Sequence, residues 1–438
     1  SFERPRRRAS SSLAAMAGED ERPSHDYLLF GRDPGEAAPT FRHARQLQAA
    51  ALTSPCERAA RLLREADAVL VGTGAGWSAD SKLATYRDVA DVAAYRDAGL
   101  SYYDLCQVSW IREDPSIFYG FWGYCMQAYR NAEPHAGYEM LRRWSDDLSR
   151  RAKPCFQEKF EAAGAPPFFV YSSNVDGHWR RDGLFQETEV FEFHGTAEEW
   201  CCSSSAASGR ALVPCCREVW TPPRDFAFAI DAATLRAESV GATDCEAPAL
   251  APGCPFAAAL AAGDPNRPRC PGCGSLMRPR VLHFGDGHFF EREGQRWRFD
   301  AWKAAVWDCM ELAGARLGGG EPPPPPLAPS GEGGGEASAG ERPSFRLALL
   351  EFGCGLNVPT IRRDFEALLD LYPENCVLVR VNPDFPLVLE KEEGQKIEAM
   401  TGALPFVREV DRLLATEPVA AAVPAAARAK AKAVGAGA

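Results

Sequence analysis

The chain has 438 residues, of which 46% are apolar and 25% charged, and its 49 Lys+Arg against 60 Asp+Glu give a net charge of −11. That composition can bury a sizeable core, which excludes a wholly disordered chain, and the lack of a persistent repeat excludes a fibrous one. The negative balance argues against strong nucleic-acid binding, and no apolar run approaches the ~20 residues of a bilayer span.

In chain order, residues 1–50 are expected to form a poorly ordered lead-in. Residues 1–24 are Arg/Ser/Ala-rich and then acidic, which fits a disordered leader with Met16 as the true start, or the remnant of a transit peptide. Residues 56–66 (CERAARLLREA) have helical spacing, and 67–73 (DAVLVGT) reads as a continuously apolar, buried strand. Residues 168–172 (FFVYS), 345–352 (FRLALLEF) and 376–381 (CVLVRV) have the same character, and 301–317 is helix-like. Short buried strands alternating with helical segments predict an α/β fold, a parallel sheet with helices on both faces. Residues 318–343 (GGGEPPPPPLAPSGEGGGEASAGERP) are a low-complexity loop with nothing to bury, and 418–438 an Ala-rich, mildly basic tail expected to be disordered.

Two features point to chemistry. The first strand runs into Gly72-Thr73-Gly74-Ala75-Gly76-Trp77-Ser78. Glycines after a strand let the backbone turn tightly and approach a diphosphate, and the next helix offers N–H groups to the anion. Lys82 is not in a P-loop context, and no acidic ribose ligand ends a second strand, so this is not an ordinary dehydrogenase fingerprint. Taken alone, the cluster also fits a plain strand-to-helix turn. The second feature is the cysteines. There are 15 of them, including the adjacent pairs Cys201-Cys202 and Cys215-Cys216 and the C-x-x-C of Cys270 and Cys273. Their clustering in a long chain reads as metal ligation in an intracellular, reducing compartment, not as a disulfide framework. The Pro- and Ser-rich stretch that carries them has little apolar periodicity, and is expected to need a metal to hold it together.

Further blocks follow in order: Tyr171-Ser172-Ser173-Asn174-Val175-Asp176-Gly177, Phe191-Glu192-Phe193-His194-Gly195-Thr196, and Arg278-Pro279-Arg280-Val281-Leu282-His283-Phe284-Gly285-Asp286. Glu351-Phe352-Gly353-Cys354-Gly355-Leu356-Asn357-Val358-Pro359 and Val381-Asn382-Pro383 close the set. With Gly74 to Ser81 and Tyr86-Arg87, their order and spacing over residues 56–415 resemble the sirtuin family of NAD-dependent protein deacylases.

The resemblance implies a discontinuous Rossmann-like catalytic domain, 56–196 and 282–415, with a small zinc-binding module, 197–281, inserted in it. NAD and an acyl-lysine protein or peptide would meet in the cleft between them. Gly74, Ala75, Gly76 and Ser78 match the phosphate loop, and Tyr86 and Arg87 match the segment that closes over the cofactor. Ser173, Asn174 and Asp176 match the ribose and nicotinamide pocket; Gly353, Cys354 and Gly355 replace the family's Gly-Thr-Ser, and Asn382 matches the adenosine-ribose position. His194 matches the general base that activates a ribose hydroxyl, a task suited to a neutral imidazole near its ordinary pKa. His194, Asn174 and Asp176 are thus the expected catalytic residues, and His178 and His283 are expected to be structural or to line the cleft.

Of the module's usual two C-x-x-C pairs, the first is irregular, with Cys202 in place and Ser205 at its second position. Cys202, Cys215, Cys270 and Cys273 are the expected structural zinc ligands, with Cys201 and Cys216 as close competitors and Cys245 and Cys254 further candidates. The chain departs from the family at Ser173 (for Gln), Trp179 (for His), Lys82-Leu83-Ala84 (for Gly-Ile-Pro) and Gly287-His288-Phe289, which marks a divergent branch. The implied activity is deacylation of protein lysine, with deacetylation foremost: NAD is cleaved, nicotinamide is released and O-acyl-ADP-ribose forms. The rival within the same chemistry is a mono-ADP-ribosyltransferase or NAD hydrolase; the rival outside it is a non-catalytic NAD- and zinc-binding interaction module. Tyr95 and Arg96 are considered as selectors of an acidic acyl group, with a solvated helix face the preferred reading. The oligomeric state is open.

Overall fold

The computed structural model describes residues 53–85, 92–203, 214–240, 254–260, 264–315, 343–356, 358–388, 391–392 and 394–416. The lead-in, the C-terminal tail, residues 318–342 of the low-complexity loop, and Tyr86, Arg87, Ser205 and Cys245 lie outside the described residues. In chain order the strands are β1 (Ala68–Thr73), β2 (Phe168–Ser172), β3 (Val190–Glu192), β4 (Gly195–Cys202), β5 (Val219–Trp220), β6 (Met277–Val281), β7 (Leu347–Phe352), β8 (Cys376–Val381) and β9 (Lys396–Ala399). The helices are α1 (Thr53–Glu65), α2 (Ala75–Ala79), α3 (Ala93–Asp97), α4 (Tyr102–Leu105), α5 (Trp110–Glu113), α6 (Pro115–Asn131), α7 (Gly137–Arg151), α8 (Pro154–Ala163), α9 (Glu293–Leu312), α10 (Thr360–Leu371) and α11 (Ala403–Ala415).

Among the described residues, six strands form one sheet in the order β3-β2-β1-β7-β8-β9, every neighbouring pair parallel. Alternation along the strands feeds two cores. Val69 and Val71 of β1 face α1, α7 and α11 through Leu63, Trp144 and Phe406, while Ala68 and Leu70 face α8, α9 and α10 through Phe160, Trp302 and Phe365. Burial on both faces is why these strands read as unbroken apolar runs. The helix expected at 301–317 is α9, which starts earlier and ends at Leu312, and the strand expected at 345–352 starts at Leu347. Strand order reverses between β1 and β7, so the loops after them diverge and leave a crevice at the carboxyl edge of the sheet.

A second, antiparallel sheet, β5-β4-β6, carries the cysteines. The stretch is less dependent on metal for a core than its composition implies. Trp200, Phe226, Phe228, Phe256 and Met277 are buried in one cluster with Phe118, Tyr119, Phe121 and Trp122 of α6. Trp200 stacks on Tyr119 at 6.0 Å, and the Tyr119 hydroxyl donates to the Met277 carbonyl at 2.6 Å. The apolar surface is supplied by a segment far away in the chain, and that is why the insertion alone looks core-poor. Helix α6 is well started: Asp114 accepts from the Ser116 and Ile117 amides at 3.1 and 3.3 Å, and Pro115 occupies the first turn.

Candidate active site

The site is built where the loops after β1, β2, β3 and β7 meet the small sheet. Gly353 after β7 has φ +63, and a Cβ there would lie 2.4 Å from the Gly76 carbonyl carbon and the Trp77 nitrogen. The β1 and β7 loops therefore rest backbone on backbone, joined by Gly74 N–H to the Phe352 carbonyl and Gly76 N–H to the Gly353 carbonyl, each 3.0 Å. The glycines are thus needed for packing as well as for the role expected of them. Gly74 and Gly76 make room for the neighbouring loop, and the Gly76 and Trp77 amides at the start of α2 donate within the protein.

Beside this crossing runs a chain of buried polar groups. Asn174 Nδ2 donates to the Gly74 carbonyl at 2.9 Å and to Ser78 Oγ at 3.0 Å. Ser78 Oγ in turn donates to Asp176 Oδ2, and Asp176 Oδ1 accepts from the His178 amide at 2.9 Å. Ser173 is held by its amide and hydroxyl to the Thr73 carbonyl, at 3.0 and 3.2 Å. All four side chains are orientated by the β1 and β2 ends, which the parallel register Thr73↔Ser172 places side by side.

His194 lies in the two-residue link between β3 and β4, its carbonyl accepting from the Leu282 amide at 2.9 Å. Gly195 follows with φ +77, and a Cβ there would clash with the Arg280 carbonyl at 1.8 Å. Gly195 thus lets β4 approach β6 tightly beside His194, whose side chain lines the crevice. Burial pushes its imidazole down to about 4, opposed by a hydrogen bond at the Ser173 backbone. It is therefore neutral at physiological pH, as the sequence leads one to expect, but well below its ordinary pKa.

A cavity of about 640 Å³ joins these groups. Ala75, Ser78, Ser173, Asn174, Asp176 and His194 line it, and Trp122 and Tyr129 of α6 and Val281 to Gly287 form the opposite wall. Its volume falls in the range of cofactor and substrate pockets. Two buried ring nitrogens of that wall, Trp122 Nε1 and His283 Nε2, have no hydrogen-bond partner among the described residues. The lining is mainly apolar with a few polar side chains set into it, as ligand pockets generally are. Gly74, Gly76, Gly353, Cys354, Gly355 and Asn382 do not line this cavity. Asn382 Nδ2 donates to the Cys354 carbonyl at 2.9 Å, while its Oδ1 accepts from the Asp384 and Phe385 amides, so it holds the β7 and β8 loops together.

His283 lines the cavity, and His178 is buried with Nε2 2.9 Å from the Tyr129 carbonyl. Tyr95 is buried with its hydroxyl on the Leu235 carbonyl, Arg96 is exposed, and neither reaches the cavity. The α6 wall is absent from the sequence reading. Its signal was the aromatic run Phe118 to Tyr129 behind an Asp-Pro start, apolar all round as a buried helix is.

At the far end of the small sheet the sulfurs of Cys202, Cys215, Cys270 and Cys273 lie within 4.8 Å of one another. Cys202–Cys273 and Cys215–Cys270 are each 3.6 Å apart, close to the edge of about 3.8 Å that Zn–S bonds of ~2.3 Å impose on a tetrahedron. The donor set and its spacing fit structural zinc. Cys201, next on the strand, points to the other face, where burial pushes its thiol up to about 11 beside Arg278 and Arg280. Cys216 and Cys254 are not in the cluster.

No family model matches the chain. It is 31% identical over 158 residues to an NAD-dependent protein deacylase 2 of Pseudomonas aeruginosa, covering 36% of this chain and 55% of that protein. It is 30% identical over 169 residues to an NAD-dependent protein deacylase 2 of Pseudomonas syringae pv. tomato, covering 36% and 61%. An NAD-dependent protein deacylase of Corynebacterium glutamicum is 25% identical over 237 residues, covering 54% and 67%. The chain thus spans little more than half the length of the first two relatives. Among solved structures, a Sir2 homolog–NAD complex aligns with a TM-score of 0.43 at 16% identity, covering 82% of this chain and 93% of that one. By sequence, the chain is thus similar over part of its length to NAD-dependent protein deacylases, the proteins that its motifs resemble.

Proposed function

We propose that the protein is an NAD-dependent protein-lysine deacylase, with acetyl-lysine the first substrate to test. The observation that carries this reading is the single cavity that joins His194 to the Ser78–Asn174–Asp176 chain and opens between the large sheet and the small lobe. When bound, NAD supplies a ribosyl centre from which nicotinamide can leave. Ala75, Ser78, Ser173, Asn174 and Asp176 would hold its ribose and nicotinamide end, and Tyr86 and Arg87 belong to the segment assigned to cover it. Gly74, Gly76, Gly353, Cys354, Gly355 and Asn382, which lie outside the cavity lining, are assigned to the cofactor by the sequence match alone.

His194, neutral in its buried setting, would take a proton from a ribose hydroxyl. The aromatic wall of Trp122 and Tyr129 would exclude water from the acyl-lysine. The division of the chain into a sheet domain, 56–196 with 282–415, and a zinc module, 197–281, belongs to the same proposal, with Cys202, Cys215, Cys270 and Cys273 as ligands. The test is nicotinamide release from NAD with and without an acetylated lysine peptide. Release that requires the peptide supports deacylation; release of equal rate without it favours an NAD hydrolase.

A further inference from the structure

The link that carries His194 is spanned by buried charge that the proposed chemistry does not use. Between Thr196↔Arg280 and Trp200↔Pro279 the β4–β6 register shifts, so residues 197–199 bulge with no partners on β6. Bulges re-aim side chains and recur beside active sites. This one turns Glu199 inward, where it is only 3% exposed. Arg280 Nε donates to Glu199 Oε2 at 2.8 Å, and Arg292 lies 3.1 Å from Oε1.

Arg180 completes the arrangement. It sits on the short 3-10 turn His178–Gly183, directly after the Asn174-to-Asp176 loop. Its Nε meets Glu192 Oε2 at 2.8 Å, and its Nη2 meets Glu199 Oε1 at 3.3 Å. Glu192 ends β3 of the large sheet and Glu199 lies in β4 of the small one, so a single guanidinium straddles Phe193 and His194. The Glu192 amide is fixed as well, donating to Gln295 Oε1 at 3.0 Å.

We propose that Arg180 is a positioning residue for His194, clamping the link between the two sheets through Glu192 and the bulged Glu199. A planar fork with several donors can hold two carboxylates at once, whereas an ammonium offers a compact point charge. Rigidity at this link matters because a base misplaced by about 1 Å can lose ~10²-fold in rate. The inference rests on the proposed deacylase reading.

Arg180→Lys keeps the charge and removes the two-ended grip. It is expected to lower kcat for deacylation by about 10-fold to 10²-fold. The KM for NAD and the rate of nicotinamide exchange, which reports NAD cleavage without the base, should stay within about threefold. Glu199→Gln, which keeps shape but loses the charge on the small-sheet side, should give the same split; each variant is first checked for zinc content and melting temperature. Unchanged kcat in either folded variant overturns the proposal, as does an equal fall in exchange and deacylation in both. Wild-type protein that releases no nicotinamide with any acyl peptide overturns the functional reading instead.

Discussion

The large sheet and the small lobe both bury aromatic side chains but are assembled in different ways. In the large sheet, core residues come from short parallel strands, each marked by its own apolar run, although partners such as Val69↔Phe168 and Val69↔Ala348 lie far apart in the chain. In the small lobe, Trp200 and Phe228 are covered by Tyr119 of α6, which lies outside the lobe, and four thiols gather at one end. In the first, local pattern marks each strand and its buried faces; in the second, the lobe's own segments carry little pattern and depend on a helix outside the lobe and on a ligand set. The functional groups sit on the seam, with Asn174 and Asp176 on the sheet side and His194 on the link.

The largest effect should come from the seam itself. His194→Ala is expected to cut deacylation by about 10²- to 10⁴-fold with little change in NAD affinity, the range for a positioned base. Asn174→Ala should instead slow nicotinamide exchange, because its amide ties the Gly74 carbonyl to Ser78 and so shapes the cofactor side. Near-normal deacylation in His194→Ala would place the base elsewhere.

The two supports of the small lobe are separable. Cys270→Ser should abolish tight zinc binding, read by elemental analysis, and lower activity through the lobe. Trp200→Ala, at a fully buried position, should cost about 3–5 kcal/mol while leaving the four sulfurs in place. If the metal carries the lobe alone, Trp200→Ala will be mild. If the aromatic core carries it alone, chelation will leave the unfolding curve unchanged.

A smaller effect concerns pH. Burial lowers His194 to about 4, lowers His283 well below its ordinary value with Arg278 adding to the shift, and lowers His135 as well. Folded values below the unfolded value of about 6.5 mean that the unfolded chain binds more protons in this window. The stability is therefore fully present above pH 6.5 and is lost as pH falls toward 4. Denaturant midpoints with zinc in excess should be lower at pH 5 than at pH 7.5; an equal or higher midpoint at pH 5 would show that these imidazoles protonate freely in the fold.

The parts legible in the sequence are those whose physics is local. β2 and β8 fall where their apolar runs lie, and β1 and β7 are shortened by one and two residues at the start. The four zinc-type thiols gather as their spacing leads one to expect. The missing parts are non-local. The wall formed by Trp122 and Tyr129 depends on α6 crossing to the small lobe, and the packing of the glycine loop depends on Gly353, which lies far off in sequence. Glu199 gave no signal at all, since only a register shift turns it inward.

The most direct test is mass spectrometry of the products formed from NAD and an acetyl-lysine peptide by the full chain. The account predicts free nicotinamide, deacetylated peptide and O-acetyl-ADP-ribose in equal amounts. Free ADP-ribose with the peptide still acetylated, or ADP-ribose attached to protein, would contradict it.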